Sequence, residues 1–410
     1  MLSPYVSLLR RPGTLRFSAA GFVQRLPMSM LGLGVVLFLT LRGEPYAVAG
    51  TVAAAGALAS AAISPFVSRY VDRFTQHRVL PAAVLAALVL QMAFLVLVLG
   101  GAPVWTWYVS FALGEAFVPN TGSLIRARWA HVLADADEVR TAFALESVLD
   151  EIVFVVGPLI ATLLAVAWLS WGAIAASIVL LAVGTLWLVP QRATEPPAAG
   201  LEHRDDKAAF RHTGVALVFL VFVLVGGLFG SSEVSITAFA AEHGLRAWTG
   251  VLLACVSLGS AVAGLVLGIL RPRRPLPHQF RLAVLAMAVV ALPFPFVGTP
   301  VALALLGALA GLSIAPTLIT GMALIEQLVP PTRLTEGLTV AMAGLTVGFA
   351  LGAGASGPLI DARGASAGFV VMACCGVAAA TLTVLGTPHL DRAMRGAGSS
   401  AGEPLEEPAS

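Results

Sequence analysis

Gly157-Pro158-Leu159-Ile160 returns as Gly357-Pro358-Leu359-Ile360, and each copy closes the fifth long apolar segment of its half of the chain. Four shared letters mean little where 58% of residues are hydrophobic and 41 are glycine. The register around them carries more weight. Pro119 falls late in the fourth segment, a basic loop follows, Glu146 stands early in the fifth, and then comes Gly157-Pro158. In the second copy Pro316 falls late in the tenth segment, followed by Arg333, Glu336 at the start of the eleventh, and Gly357-Pro358. Order and ordinal position agree, as in a duplicated unit.

Only 11% of the residues are charged, against about 25% in soluble domains, and the mean hydropathy is +0.91. Such a chain belongs in a bilayer. At roughly 20 apolar residues per span plus a loop, 410 residues suit about twelve crossings. Apolar runs of spanning length fall at roughly 17–40, 46–67, 79–100, 104–125, 142–167 and 170–189, then at 214–241, 247–270, 282–298, 300–325, 336–360 and 366–386. The expected fold is an all-α membrane protein, with twelve transmembrane helices forming two pseudo-symmetric six-helix bundles around a central cavity. The first half spans 1–189 and the second 213–387. A polar cytoplasmic linker, 190–212, joins them, and 388–410 reads as a disordered cytoplasmic tail.

Basic residues set the orientation, because short cytoplasmic loops carry the Lys/Arg excess. With both termini inside, every Lys and Arg lies on the cytoplasmic side except Arg42, Arg246 and Arg363 outside and Arg25 within a span. Arg126 and Arg128 count among the inner loop residues in this scheme. Trp105, Trp107, Trp168, Trp171 and Trp248 fall at outer span ends, where an aromatic belt belongs. The basic start at Arg10, Arg11 and Arg16 precedes an apolar run too long for a secretory signal, so it opens an uncleaved first span. Cys255, Cys374 and Cys375 lie in apolar stretches and read as small packing residues. The net charge of +2 carries no nucleic-acid signal.

Between the second and third segments the chain reads Ser68-Arg69-Tyr70-Val71-Asp72-Arg73-Phe74-Thr75-Gln76-His77-Arg78. This stretch, with the six-plus-six layout, resembles the major facilitator superfamily over essentially the whole chain, and drug/proton antiporters within it. That family's loop has the form Gly-x-Leu-x-Asp-Arg-x-Gly-Arg-Arg, and here Ser68 and Thr75 stand at its glycines. The resemblance implies a cytoplasmic gate in which Asp72, Arg73 and Arg78 take part. A solvated basic loop is the alternative. It also implies that spans 2, 5, 8 and 11 form the seam between halves, about which rocking alternates access to a central site. Gly157, Pro158, Gly357 and Pro358, with the stripe Gly344, Gly348 and Gly352, are the expected seam and hinge residues, since small residues allow close helix approach. Departures lie in span 5, where Glu146, Asp150 and Glu151 stand at positions the exporters fill with small residues. Span 4 lacks the exporters' buried arginine.

An ionised group near a helix centre costs about 2.5–3.5 kcal/mol on the insertion scale, so each one needs a partner or a cavity. At 1.5 Å per residue, Asp150 lies roughly 14 Å deep, and Arg25 and Glu115 come to about the same level. Glu146 and Asp150 share a helix face, while Glu151 is rotated about 100° away. Arg25 is therefore expected to pair with Asp150, with Glu115 or Glu146 as a second partner. The cluster serves either proton coupling or static structure, and both readings require the pairing. In the second half, Glu233, beside Gly230-Ser231-Ser232, is the candidate for facing the cavity.

These features point to a secondary transporter of the plasma membrane, a monomer that exports a small organic or lipophilic compound by proton-coupled alternating access. Its partners are then the small-molecule substrate, protons and the lipid bilayer. An uncoupled facilitator or importer is the alternative within the class, and a non-transporting receptor or scaffold stays open outside it. No enzyme is expected, because His-Glu-x-x-His, an Asp-rich diphosphate site and a phosphate-binding glycine loop are all missing. No cofactor or metal is expected either, since all seven histidines fall in loops or tails.

Overall fold

The computed structural model describes residues 3–198, 213–270, 274–329 and 334–400. A short helix α1 (Ser3–Leu9) precedes α2 (Thr14–Leu41), α3 (Tyr46–Phe74), α4 (Gln76–Leu99), α5 (Val104–Ala116), α6 (Thr121–Val132), α7 (Ala136–Thr162) and α8 (Gly172–Leu188). Then follow α9 (Thr213–Glu242), α10 (Thr249–Leu270), α11 (Leu276–Ala291), α12 (Pro300–Leu328), α13 (Leu334–Arg363) and α14 (Ala365–Ser400). Among the described residues, ten helices are long and apolar enough to cross a membrane, and α8 is a shorter apolar helix. The chain is thus a multi-pass helical membrane protein.

The segment expected as one span at 104–125 is instead two helices, α5 and α6. The break has a local cause. Pro119 has no N–H to give a helix, and Asn120 caps α6 by accepting a hydrogen bond from the Ser123 N–H (3.2 Å), as short polar side chains do at helix starts. At the other end of the chain α14 runs to Ser400, past residue 388 where the sequence reading begins a tail. The helix formers of His389-Leu390-Asp391-Arg392-Ala393-Met394 carry it on.

Helix contacts recur in the same order in the two sequence halves. In the first half α2 lies on α7 and α8, α5 on α3 and α4; in the second, α9 lies on α13 and α14, α12 on α10 and α11. Across the halves α3 meets α13 and α7 meets α10. Three hydrogen bonds between the halves join α3 to α13 and α7 to α10. Asp361 accepts from the N–H groups of Tyr46 (2.8 Å) and Ala47 (2.7 Å), and Ser257 donates to the Phe154 carbonyl (3.1 Å). Pro158 and Gly357 sit at this joint, whereas Gly157 abuts Ser29 and Met30 of α2 in its own half, which corrects its reading as a seam residue. A Cβ on Gly357 would lie 2.5 Å from the Tyr46 carbonyl oxygen, and one on Gly250 would lie 2.4 Å from that of Pro158. Pro158 and Gly357 therefore each receive the first turn of a helix from the opposite half.

Gly344, Gly348 and Gly352 do not face the seam, which corrects the reading made from their spacing. They abut the backbone of α9 in their own half, at the carbonyls of Phe219, Val223 and Gly227. Spacing alone yields a smooth face, and a smooth face serves rigid packing within a half as well as sliding between halves. Trp107 is a second correction. It is 5% exposed and packs in the core, whereas Trp105, Trp168 and Trp248 are exposed, as residues of an interfacial belt should be.

Candidate functional site

Arg25 projects from α2 into the face of α7 that carries Glu146 and Asp150. Its guanidinium donates to Asp150 Oδ1 at 2.7 Å and, through the other terminal nitrogen, to Glu146 Oε2. Nε donates to the carbonyl of Gly21 (3.2 Å) one turn earlier. The expected pairing is present, with Glu146 as the second partner. Arg25 and Glu146 side chains are 2% and 0% exposed, so this pair is sealed from solvent.

Glu146 is held by more than the arginine. Its Oε1 accepts from Ser18 Oγ (2.9 Å) and from the indole Nε1 of Trp129 (2.7 Å), and that indole packs edge-on against Phe17, with ring centroids 4.8 Å apart. Three donors on one buried carboxylate satisfy it as an anion. Asp150 is different. It is 24% exposed, and its second oxygen accepts from Arg126 Nη2 at 2.8 Å. Arg126 was counted among inner loop residues; the break at Pro119 and the new start of α6 turn it toward Asp150 instead.

The cluster therefore joins α2, α6 and α7 with two arginines and two carboxylates. Balanced charge is what allows ions to sit at this depth. Its two ends differ in kind: Glu146 is locked, while Asp150 sits at the accessible rim between two guanidinium groups.

Glu115 does not join. It accepts from Gln91 Nε2 of α4 (3.2 Å) and packs against Gly56 of α3, so its side chain turns around the helix away from the cluster. Glu151 forms no hydrogen bond or ion pair among the described residues, in keeping with its rotation away from the shared face. Glu233 likewise lacks such a partner among the described residues, yet its Oε1 lies 3.4 Å from the point where a Cβ on Gly32 would stand. A carboxylate of the second half thereby rests against α2 of the first.

At the loop between α3 and α4 the side chain of Asp72 lies outside the described residues, as does that of Glu336. The Arg73 guanidinium lies 5.0 Å over the Phe74 ring, and Arg78 is exposed. Neither reaches the second half among the described residues. What the sequence reading missed is a knot behind them. Arg128, wholly buried, donates to Gln76 Oε1 (2.7 Å), the Gln191 carbonyl (2.7 Å) and Thr194 Oγ1 (2.9 Å). His77 is bound through its backbone N–H to Glu195 Oε1 (2.8 Å) and through Nδ1 to Glu195 Oε2 (2.9 Å). The start of the linker is thus tied to the loop.

A helical membrane protein whose interior holds compensated ion pairs, with two sequence halves that meet at repeated Gly-Pro pairs, has the build of a membrane transporter. The sequence model of the Major Facilitator Superfamily matches residues 17–302, and the chain belongs to that family. Comparison with curated protein sequences gives no match. Among solved structures, a point mutant of the nucleoside transporter NupG is similar at a TM-score of 0.71 and 14% identity, over 91% of this chain and 99% of that one. A POT family transporter in complex with 5-aminolevulinic acid follows at 0.66 and 14%, over 92% and 96%. A bacterial homolog of the human lysosomal transporter Spinster, inward-facing and occupied, gives 0.63 and 15%, over 96% and 97%. These identities speak for a shared fold.

Proposed function

We propose that this protein is a twelve-span, proton-coupled secondary transporter that exports a small organic or lipophilic compound across the plasma membrane, with both termini cytoplasmic. On this reading α5 and α6 together make the fourth crossing and α8 the sixth. The two sets of six then form two bundles, closed against each other at the outer end by Asp361 and the Gly-Pro contacts. The relatives with solved structures are named for nucleosides, peptides and a lysosomal transporter, which supports a small solute as cargo without selecting one.

The observation that carries the coupling is the position of Asp150. It is partly exposed and held between Arg25 and Arg126, so a proton on its carboxyl removes the charge that joins α6 to α7. Arg25 keeps Glu146 when that happens, and the helix pair α2–α7 stays together while α6 is released. Glu233, against Gly32, is the second carboxylate able to report the approach of the two halves. The three donors to Glu146 favour one alternative, a static cluster in an uncoupled facilitator.

Reconstituted vesicles containing a trapped pH dye decide between the two. A panel of nucleosides, short peptides and amphipathic cations is applied, and solute flux and lumenal pH are followed together. Coupled export predicts proton movement with a transported solute in the wild type, and none in Asp150→Asn. Solute flux that ignores the pH gradient in the wild type would remove the coupling and leave the facilitator.

A further inference from the structure

A second site lies in the other half of the chain, where it enters α11. A cavity of about 270 Å3 is bounded by Arg274, His278, Arg281, Leu282 and Leu285, near the lower end of the ~300–1,000 Å3 range of small-molecule sites. Neither the Arg274 nor the Arg281 guanidinium forms a hydrogen bond or ion pair among the described residues. Two cations thus share a hollow in which no described lining residue carries a counter-charge. Nothing in the packing of α11 requires this, since its buried face is apolar, with Phe280, Ala283, Val284 and Met287 turned inward.

The other wall of the hollow is apolar and continues upward. Leu282 is 54% exposed, and about two and three turns further on Val289 and Leu292 are 63% and 48% exposed, on one side of the helix at seven- and three-residue spacing. In a helix that crosses the bilayer, this stripe faces lipid tails. The hollow therefore offers a cationic mouth at the membrane boundary and an apolar track beneath it.

We infer that this hollow binds the phosphate of an anionic phospholipid, with Arg274 and Arg281 on the headgroup and an acyl chain along Leu282, Val289 and Leu292. Arginine suits a phosphate because its planar fork can donate two parallel hydrogen bonds. In the proposed orientation the site opens on the cytoplasmic leaflet, the one that carries the anionic lipids. The inference needs only that α11 crosses a bilayer, and it stands or falls separately from the coupling proposal.

The test uses the full-length protein purified in neutral detergent, with native mass spectrometry counting bound lipid and thermal melting as a second readout. Phosphatidylglycerol, phosphatidylcholine, glycerol phosphate and inorganic phosphate are the probes. Two basic residues near a membrane surface predict a preference for phosphatidylglycerol over phosphatidylcholine of about 30-fold, reduced to about the level of the control lipid in Arg274→Gln/Arg281→Gln. Arg363→Gln, at the other end of the molecule, should keep it. A double variant that melts like the wild type without lipid and still prefers phosphatidylglycerol would overturn the proposal. So would equal stabilisation by inorganic phosphate or glycerol phosphate, which marks a free-anion site with no use for the apolar track. If the double variant fails to fold, Leu282→Ser serves instead, and it should weaken phosphatidylglycerol while leaving the short headgroup probes unchanged.

Discussion

Asp361, one residue past the second Gly-Pro-Leu-Ile, closes the first turn of α3 by accepting the backbone N–H of Tyr46, and the following N–H as well. Those donors have no partner within their own helix, and the positive end of the helix dipole favours the carboxylate. The corresponding residue after the first copy is Ala161, so the two seams are not equivalent. One is latched by a carboxylate, the other by packing and the Ser257 hydrogen bond to the Phe154 carbonyl.

Replacing Asp361 by Ala should therefore loosen one seam. A lost helix cap costs about 1 kcal/mol, enough to move a two-state equilibrium several-fold. Spin labels at Arg42→Cys and Arg363→Cys, in a background freed of native cysteines, should show a second, longer distance that grows when Asp361 is removed. An unchanged distance distribution would mean that the packing of Gly357 on α3 suffices.

Glu146→Ala should be the most damaging single change in the cluster. It strips three donors of their shared acceptor and unbalances a buried charge, a loss of about 3–5 kcal/mol. Asp150→Asn should cost much less, because Asp150 is 24% exposed and Arg25 keeps its other partner. Melting of both variants in detergent checks the order. A larger loss for Asp150→Asn would reverse the roles assigned to the two carboxylates.

Trp129→Phe isolates one bond. The ring stays against Phe17 while the indole N–H to Glu146 is gone, and hydrogen bonds to charged groups contribute about 1.5–3 kcal/mol. A double-mutant cycle with Glu146→Gln should return a coupling of that order, whereas a coupling near zero would make Trp129 only a packing residue.

Thr75 holds a backbone angle of φ +73° with ψ 155°, a region that is essentially reserved for glycine and costs other residues about 1–3 kcal/mol. Its hydroxyl interacts with His77 Nδ1 (3.0 Å), which offsets part of that cost. Thr75→Gly should raise the melting temperature modestly and Thr75→Val should lower it. A lower melting temperature for the glycine variant would mean that the contact to His77 outweighs the strain.

Much of this was legible in the sequence where bilayer physics forces a single answer. Apolar runs of spanning length have no other home, Arg25 and Asp150 were matched by their shared depth, and Glu146 came with Asp150 because the two lie one turn apart on one helix face. Azimuth was not legible. Glu115 was placed at the level of Arg25 but points to Gln91, and the Gly344 stripe has the spacing of a seam but faces α9. Arg126 and Arg128 were hidden for a different reason. The rule that places basic residues in inner loops counts charges without asking whether they turn inward, and only the break at Pro119 and Asn120 decides that. Thr75 was visible, since it occupies a position where the resembled motif has glycine.

The ion cluster also has a history within each synthesised chain. Arg25 precedes Glu146 by 121 residues. At about 5–20 residues per second, the arginine waits roughly 6–24 s for its buried partner to be made. During that interval α2 carries a charge whose placement at a helix centre costs about 2.5–3.5 kcal/mol. A helix in that position has reason to remain at the insertion machinery, or at the membrane surface, until α7 emerges. The bond that joins α2 to α7 thus delays the settling of the first span until the middle of synthesis.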